Sequence, residues 1–486
     1  IITRPISINN RAVLKIDPGT TIKFEQDASI TIEDSAGIIA DGDTKPIIFS
    51  ANNQETGQWK YILFRQSANS DSCKLINCQI RNGGNDPDFA AAIVCENSAP
   101  VIRGCEISNS VSNGILLTGD CREIEFFNNT ILLCNGFPVV TDACNVAFIG
   151  NNIYSTNISN AIRVMNNEIR FNDTWYAQPV PYQLANGLNI QNANLTLSPE
   201  IVLQFETDQS LTISNNGSIK ANGTLSPIKF TGINNGYWGG IVFEYTANSA
   251  NSNLIRCVIE KGGHPANIYL NEAVPEILDC TIQNSQGYGV YLKGSFSSGS
   301  FSNNHFINNL KGAISISARA ISSLQPQIFQ PDGTNFIEIR GGPEDGLISS
   351  DSRWKNYGVP YKVNGTIYIQ FGTLILEPGL TLLMDVQSGF EVGPQGGLIA
   401  DGSSNMIKIQ GEQPTHGYWN YIYFSPSANA QQCQLMYCQI QHGGGIHSYP
   451  GMIYCDQVAP RIKNCFIEYS ATWGIFLNGN ITINDI

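Results

Sequence analysis

The chain has 486 residues, 42% of them hydrophobic and only 14% charged, with a formal net charge of −13. Few Lys, Glu and Arg, against 46 Gly and about fifty Asn, exclude a mainly helical protein, and abundant Ile, Val and Phe exclude a disordered one. No Lys/Arg-rich stretch offers a nucleic-acid surface, and no run of about 20 apolar residues offers a membrane span.

In chain order, Ile1 to Ile6 lack the n-region and cleavage site of a secretory leader, so the chain reads as a trimmed mature one. An alternating apolar run then ends at Ile16-Asp17-Pro18-Gly19, followed by Gly37-Ile38-Ile39-Ala40-Asp41-Gly42 and by Gly57-Gln58-Trp59-Lys60-Tyr61-Ile62-Leu63-Phe64. The last segment recurs as Gly236-Tyr237-Trp238-Gly239-Gly240-Ile241-Val242-Phe243 and as Gly417-Tyr418-Trp419-Asn420-Tyr421-Ile422-Tyr423-Phe424, the Trp positions lying 179 and then 181 residues apart. Leu376-Glu377-Pro378-Gly379 and Gly397 to Gly402 repeat the earlier segments, and Trp175…Pro181-Tyr182 returns as Trp354…Pro360-Tyr361. Three long tandem repeats follow, 1–180, 181–359 and a shortened 360–486, expected to form one continuous solenoid.

A shorter period lies inside each repeat: Cys or Asn, any residue, then Ile. It gives Cys78-Gln79-Ile80, Cys105-Glu106-Ile107, Asn129-Thr130-Ile131, Asn151-Asn152-Ile153 and Asn167-Glu168-Ile169 in the first repeat. Cys257-Val258-Ile259, Cys280-Thr281-Ile282 and Asn304-His305-Phe306 follow in the second, and Cys438-Gln439-Ile440 and Cys465-Phe466-Ile467 in the third. Alternate strand residues face opposite sides, so Cys and Ile share the inward face. A strand and turn recurring at this spacing is one rung of a coiled parallel sheet, with Asn and Gly at its left-handed bends.

On these residues, notably Pro100-Val101-Ile102-Arg103-Gly104-Cys105-Glu106-Ile107 and Pro275-Glu276-Ile277-Leu278-Asp279-Cys280-Thr281-Ile282, the chain resembles right-handed parallel β-helix proteins of the pectate-lyase-like superfold. The Pro-Gly and Gly-x-Trp elements are similar to those of secreted or surface-anchored bacterial repeat proteins. The resemblance implies an all-β solenoid at a bacterial cell surface or outside the cell; the early stop of the third repeat leaves room for a cap, anchoring or sorting domain outside this chain. It says little about activity, because the superfold hosts lyases, hydrolases, adhesins and stalks.

Thirteen cysteines cannot all pair within one chain, and most are expected as buried thiols of the inward ladder. The state of Cys73, Cys121, Cys134, Cys144 and Cys433 is left open, a Cys121–Cys144 disulfide included. No Cys-x-x-Cys pair suggests zinc, and neither metal nor cofactor is expected. The outward residues of the first column, Gln79, Glu106, Thr130, Asn152 and Glu168, place Glu106 and Glu168 about 14 Å apart by rung stacking, too far for glycoside hydrolysis. Arg461-Ile462-Lys463 matches one element of the polygalacturonase signature, yet its equivalent Val101-Ile102-Arg103 marks it as ladder sequence. Catalytic residues are therefore unassigned.

The second strand of each rung is richer. Its outward residues are Leu63, Val94 and Leu116, then Val242, Tyr269 and Tyr291, then Tyr423, Tyr454 and Phe476, with Trp473 just before the last. Stacked aromatic rings fit the flat faces of sugars. His442 and His447 lie in a nearby Gly-rich loop and join the candidate contacts. The expectation is a non-catalytic glycan-binding or adhesive protein whose partner is a polysaccharide or surface glycan. The alternatives are a polysaccharide lyase or glycoside hydrolase, and a structural stalk.

Overall fold

The computed structural model describes residues 1–53, 56–294, 300–330, 333, 335–445 and 449–481. They form two compact units, Ile1–Gly239 with Thr246–Val258, and Gly240–Tyr245 with Ile259–Ile486. In the first unit one sheet takes Ile6–Ile8, Ile30–Ile32, Ile62–Phe64, Ala91–Glu96 and Asn113–Thr118 in turn. A second takes Val13–Ile16, Gly37–Asp41, Cys73–Ile76, Val101–Arg103 and Glu125–Phe127; a third runs from Thr21–Phe24 through Cys78–Arg81 and Glu106–Ser108 to Ile153–Ser155. Successive strands visit the three sheets cyclically, and each pairs in parallel with the strand one circuit away. The second unit is built the same way. The protein is thus an all-β parallel β-solenoid, the architecture expected of a parallel β-helix.

Alternation fills the core. Ile62 and Phe64, Ile93 and Cys95, and Ile115 and Leu117 are fully buried and stack rung upon rung. The Trp of each Gly-x-Trp segment is also core: Trp59 stacks on Phe24 at 4.2 Å and Trp238 on Phe205 at 4.4 Å.

Asn has two separate duties. At turns, Asn77, Asn82, Asn97, Asn109 and Asn128 adopt left-handed backbone, which their short polar side chains tolerate. On the inner ladder, Asn129 is fully buried, its Oδ1 accepting from the Cys105 N–H at 2.9 Å and its Nδ2 donating to the Ile102 carbonyl at 2.9 Å. Asn152 repeats the arrangement one rung on, accepting from the Asn129 N–H at 2.9 Å. Cys78, Cys105, Asn129 and Asn152 therefore make one ladder, and none of the thirteen cysteines, Cys121 and Cys144 among them, is in a disulfide.

The first column differs from its expected register in two ways. Thr130 faces Ile153, not Asn152, because the inward series Ile80, Ile107, Ile131 continues at Tyr154 and shifts the strand by one residue. Glu168 lies in a different sheet, opposite Asn189, so it shares no column with Glu106. Each glutamate is instead paired locally, Glu106 with Arg81 at 2.9 Å and Glu168 with Arg170.

Equivalent sequence does not mean equivalent sheet. Gly240–Phe243 belongs to the sheet that later receives Ile407–Gly411 and Cys438–Gln441. Its sequence counterpart Ile422–Phe424 lies in another sheet, with Leu347–Ile348, Thr366–Ile369, Gly389–Val392, Gly451–Asp456 and Trp473–Asn478. A sequence period that is not a whole number of turns brings each later copy to the next face.

Candidate functional site

The strand Ile422-Tyr423-Phe424 buries Ile422 and Phe424 completely, so the pleat turns Tyr423 outward. Parallel register then stacks Tyr368, Glu391, Tyr423, Tyr454 and Phe476 in one outward column. Tyr423 and Tyr454 stack with ring centroids 5.2 Å apart, and Tyr454 meets Phe476 at 5.5 Å. From the loop preceding Gly451–Asp456, Tyr449 leans over the column, 4.1 Å from Tyr421, 5.0 Å from Tyr423 and 5.7 Å from Tyr454. The column is therefore half-buried, not bare. The Tyr423 hydroxyl donates to Asp456 at 3.1 Å, and Asn478 holds the other carboxylate oxygen at 2.8 Å.

Glu391 is the residue that sequence reasoning missed. Aligned on the glycines that end the upstream segments, Gly42, Gly223 and Gly402, its equivalents are Thr31 and Thr212, so an acid appears once in three copies; that asymmetry was the available signal. Its side chain is half-buried, and burial raises its carboxyl above the usual range. No Lys or Arg occurs on the six strands of its sheet, and among the described residues Glu391 has no ion-pair or hydrogen-bond partner.

The corresponding column of the first unit is closed. Leu63 and Val94 are fully buried beneath Phe89, which packs edge-on against Tyr61 at 5.5 Å and lies under Arg65. The covering loop is tied down by Lys60, 3.1 Å from Asp86, whose carboxylate also accepts from the Asp88 and Phe89 N–H groups. Phe89 corresponds in sequence to Tyr449, Leu63 to Tyr423 and Lys60 to Asn420, so the third copy has polar rims and lacks that tie.

The other tyrosine column carries its own cation. Tyr269 and Tyr291 lie 5.6 Å apart, and the Arg340 guanidinium sits 4.4 Å over Tyr291 while pairing with Asp345 at 2.9 Å. Arg340 also donates to Ser315 and to the Leu292 carbonyl. A ring face so capped is already occupied.

The remaining candidates do not join the stripe. His442 has left-handed backbone at the turn and stacks on Tyr469 at 5.4 Å, near His416, with desolvation lowering its imidazole. His447 lies outside the described residues. Trp473 is 68% exposed at the start of the last strand of the sheet and makes no ring contact with Tyr454 or Phe476. In the first unit, a cavity of about 220 Å³ is lined by Asp120, Arg122, Asp142, Glu168, Arg170 and Phe171, among others. Two of its three acids are already paired, Asp120 with Arg122 at 2.7 Å and Glu168 with Arg170, and Arg122 covers Phe171 at 3.7 Å.

The fold and this surface define a parallel β-helix protein with a half-open aromatic, acid-edged outward stripe. No protein-family model, curated protein or solved structure matched the chain. No helix among the described residues is long and apolar enough to cross a membrane.

Proposed function

We propose that the protein binds a polysaccharide or surface glycan without cleaving it, through the column Tyr423, Tyr454 and Phe476, in a secreted or cell-surface setting. The observation that carries this reading is the half-open stack of three rings at 5.2 and 5.5 Å, with tyrosine hydroxyls and Asp456 along its rim. Ring faces take the apolar C–H faces of pyranoses, and rim acceptors take their hydroxyls. Proteins that close such a column, as the Phe89 loop does over Leu63 and Val94, gain stability and lose the surface; the third copy keeps the surface.

A glycan array, run beside assays for reducing ends and unsaturated products, tests this. A bound glycan that is lost in both Tyr454→Ala and Phe476→Ala is the expected result. Product released from any polysaccharide would establish the lyase or hydrolase alternative instead, and binding that survives both substitutions would place the site elsewhere.

A further inference from the structure

We infer that the glycan carries free amines, so that protonated 2-amino-2-deoxy sugars are preferred over their acetylated forms, with Glu391 as the selecting group. This rests on the glycan-binding reading and narrows it.

The first observation is one of charge. Four outward glutamates elsewhere are paired with cations of their own: Glu96 with Arg65 at 2.6 Å, Glu106 with Arg81 at 2.9 Å, Glu206 with Arg163 at 2.7 Å, and Glu412 with Lys362 at 3.0 Å; others, such as Glu33, Glu244 and Glu468, are held by neutral hydrogen-bond donors. Glu391 has none among the described residues, although Tyr368 and Tyr423 flank it in the column and shield it from water. A half-buried carboxylate without a counter-charge is costly to the fold and attractive to a cation from outside.

The second observation is a precedent within the same unit. The Tyr269–Tyr291 column meets a cation, the Arg340 guanidinium, and a carboxylate, Asp345, supplies the opposite charge. Tyrosine faces and a carboxylate together thus form a cation seat in this protein, satisfied internally there. The Tyr423–Tyr454 column presents the same chemistry with the cation absent from its own strands. Ring quadrupoles favour an ammonium, and the carboxylate beside them adds a direct ion pair.

The third observation is geometric. Glu391 adjoins Tyr423 one rung away, so an amine at one edge of a pyranose stacked on Tyr423 or Tyr454 comes within reach of the carboxylate. An N-acetyl group removes the positive charge and adds bulk at that edge. A uronate would meet Glu391, Asp456 and the overall charge of −13 with repulsion.

Binding of β-1,4-linked glucosamine and N-acetylglucosamine hexamers should be measured by calorimetry near pH 6, with salt at about 0.15 M so that charges beyond about 8 Å are screened. The free-amine hexamer is expected to bind about tenfold or more tightly than the acetylated one. Glu391→Gln, and Glu391→Thr with the residue found at positions 31 and 212, should both erase the difference. Glu276→Gln, which removes one exposed charge from the same unit, should not. Equal affinity for the two hexamers overturns the inference, as does a preference that survives Glu391→Gln and so belongs to the global field. Failure of both hexamers while another glycan binds and responds to Tyr454→Ala overturns the amine preference and leaves the glycan-binding reading standing. Failure of every glycan on the array ends both.

Discussion

Replacing Asn129 by alanine removes a side chain that is fully buried and makes three ladder hydrogen bonds. The Cys105 N–H loses its acceptor and the Ile102 carbonyl loses a donor, with no water able to reach either. A buried polar group left unpaired costs about 1–3 kcal/mol, so two of them put the loss at about 2–6 kcal/mol. The neighbouring Thr130 points outward, and Thr130→Ala should cost about 0.5 kcal/mol or less. Because rungs contact mainly their neighbours, the damage should be regional. Hydrogen exchange at the Cys105 amide, alongside urea denaturation, is the assay: protection there should collapse in Asn129→Ala while that of the second unit is unchanged. A cost below about 1 kcal/mol, with the Cys105 amide still protected, would refute the ladder as a source of stability.

Three further outcomes are expected. Burial raises the Glu391 carboxyl in the folded state, so the fold is penalised as pH rises through and above the unfolded value of about 4.3 and is not penalised below it; Glu391→Gln should raise the unfolding midpoint at neutral pH and leave it unmoved near pH 3, and equal effects at both would contradict the assignment. Phe89→Ala should uncover Leu63 and Val94, costing about 1–3 kcal/mol and creating a binding site for a hydrophobic dye, whereas no dye uptake would mean the loop covers nothing. In native protein Cys465 should be alkylated first, since it is partly exposed and its neighbour Cys438 holds its pKa down to about 7, which favours the reactive thiolate; Cys73 and Cys433, buried and pushed up to about 11, should stay silent until denaturation, as peptide mass spectrometry will show.

The solenoid was legible because its cause is periodic: inward Ile and Cys at a fixed offset and Asn or Gly at each bend leave parallel rungs as the way to bury one face. The outward direction of Tyr423, Tyr454 and Phe476 followed from the same alternation. What the sequence did not disclose depends on where a turn closes. The one-residue shift at Ile153 follows from Tyr154 taking the inward slot, and the move of Ile422–Phe424 to another sheet follows from turn lengths summed over many rungs. Neither is visible in a local pattern. Cover was equally hidden: Phe89 and Tyr449 sit in loops whose path over the sheet no periodicity predicts, and Arg340 reaches Tyr291 from strands two rungs away. Glu391 was readable as the lone acid at a position otherwise held by threonine, but only with its column neighbours known does that asymmetry acquire a chemical meaning.

The most direct test of the glycan-binding claim is a crystal structure of the chain soaked with the tightest glycan from the array. A sugar ring should lie on Tyr423 or Tyr454, its face about 4.5–7 Å from the ring centroids, with a hydroxyl or amine toward Asp456 or Glu391. Sugar density over Tyr269 and Tyr291, or in the cavity lined by Arg122 and Phe171, with the Tyr423–Tyr454 column bare, would contradict it.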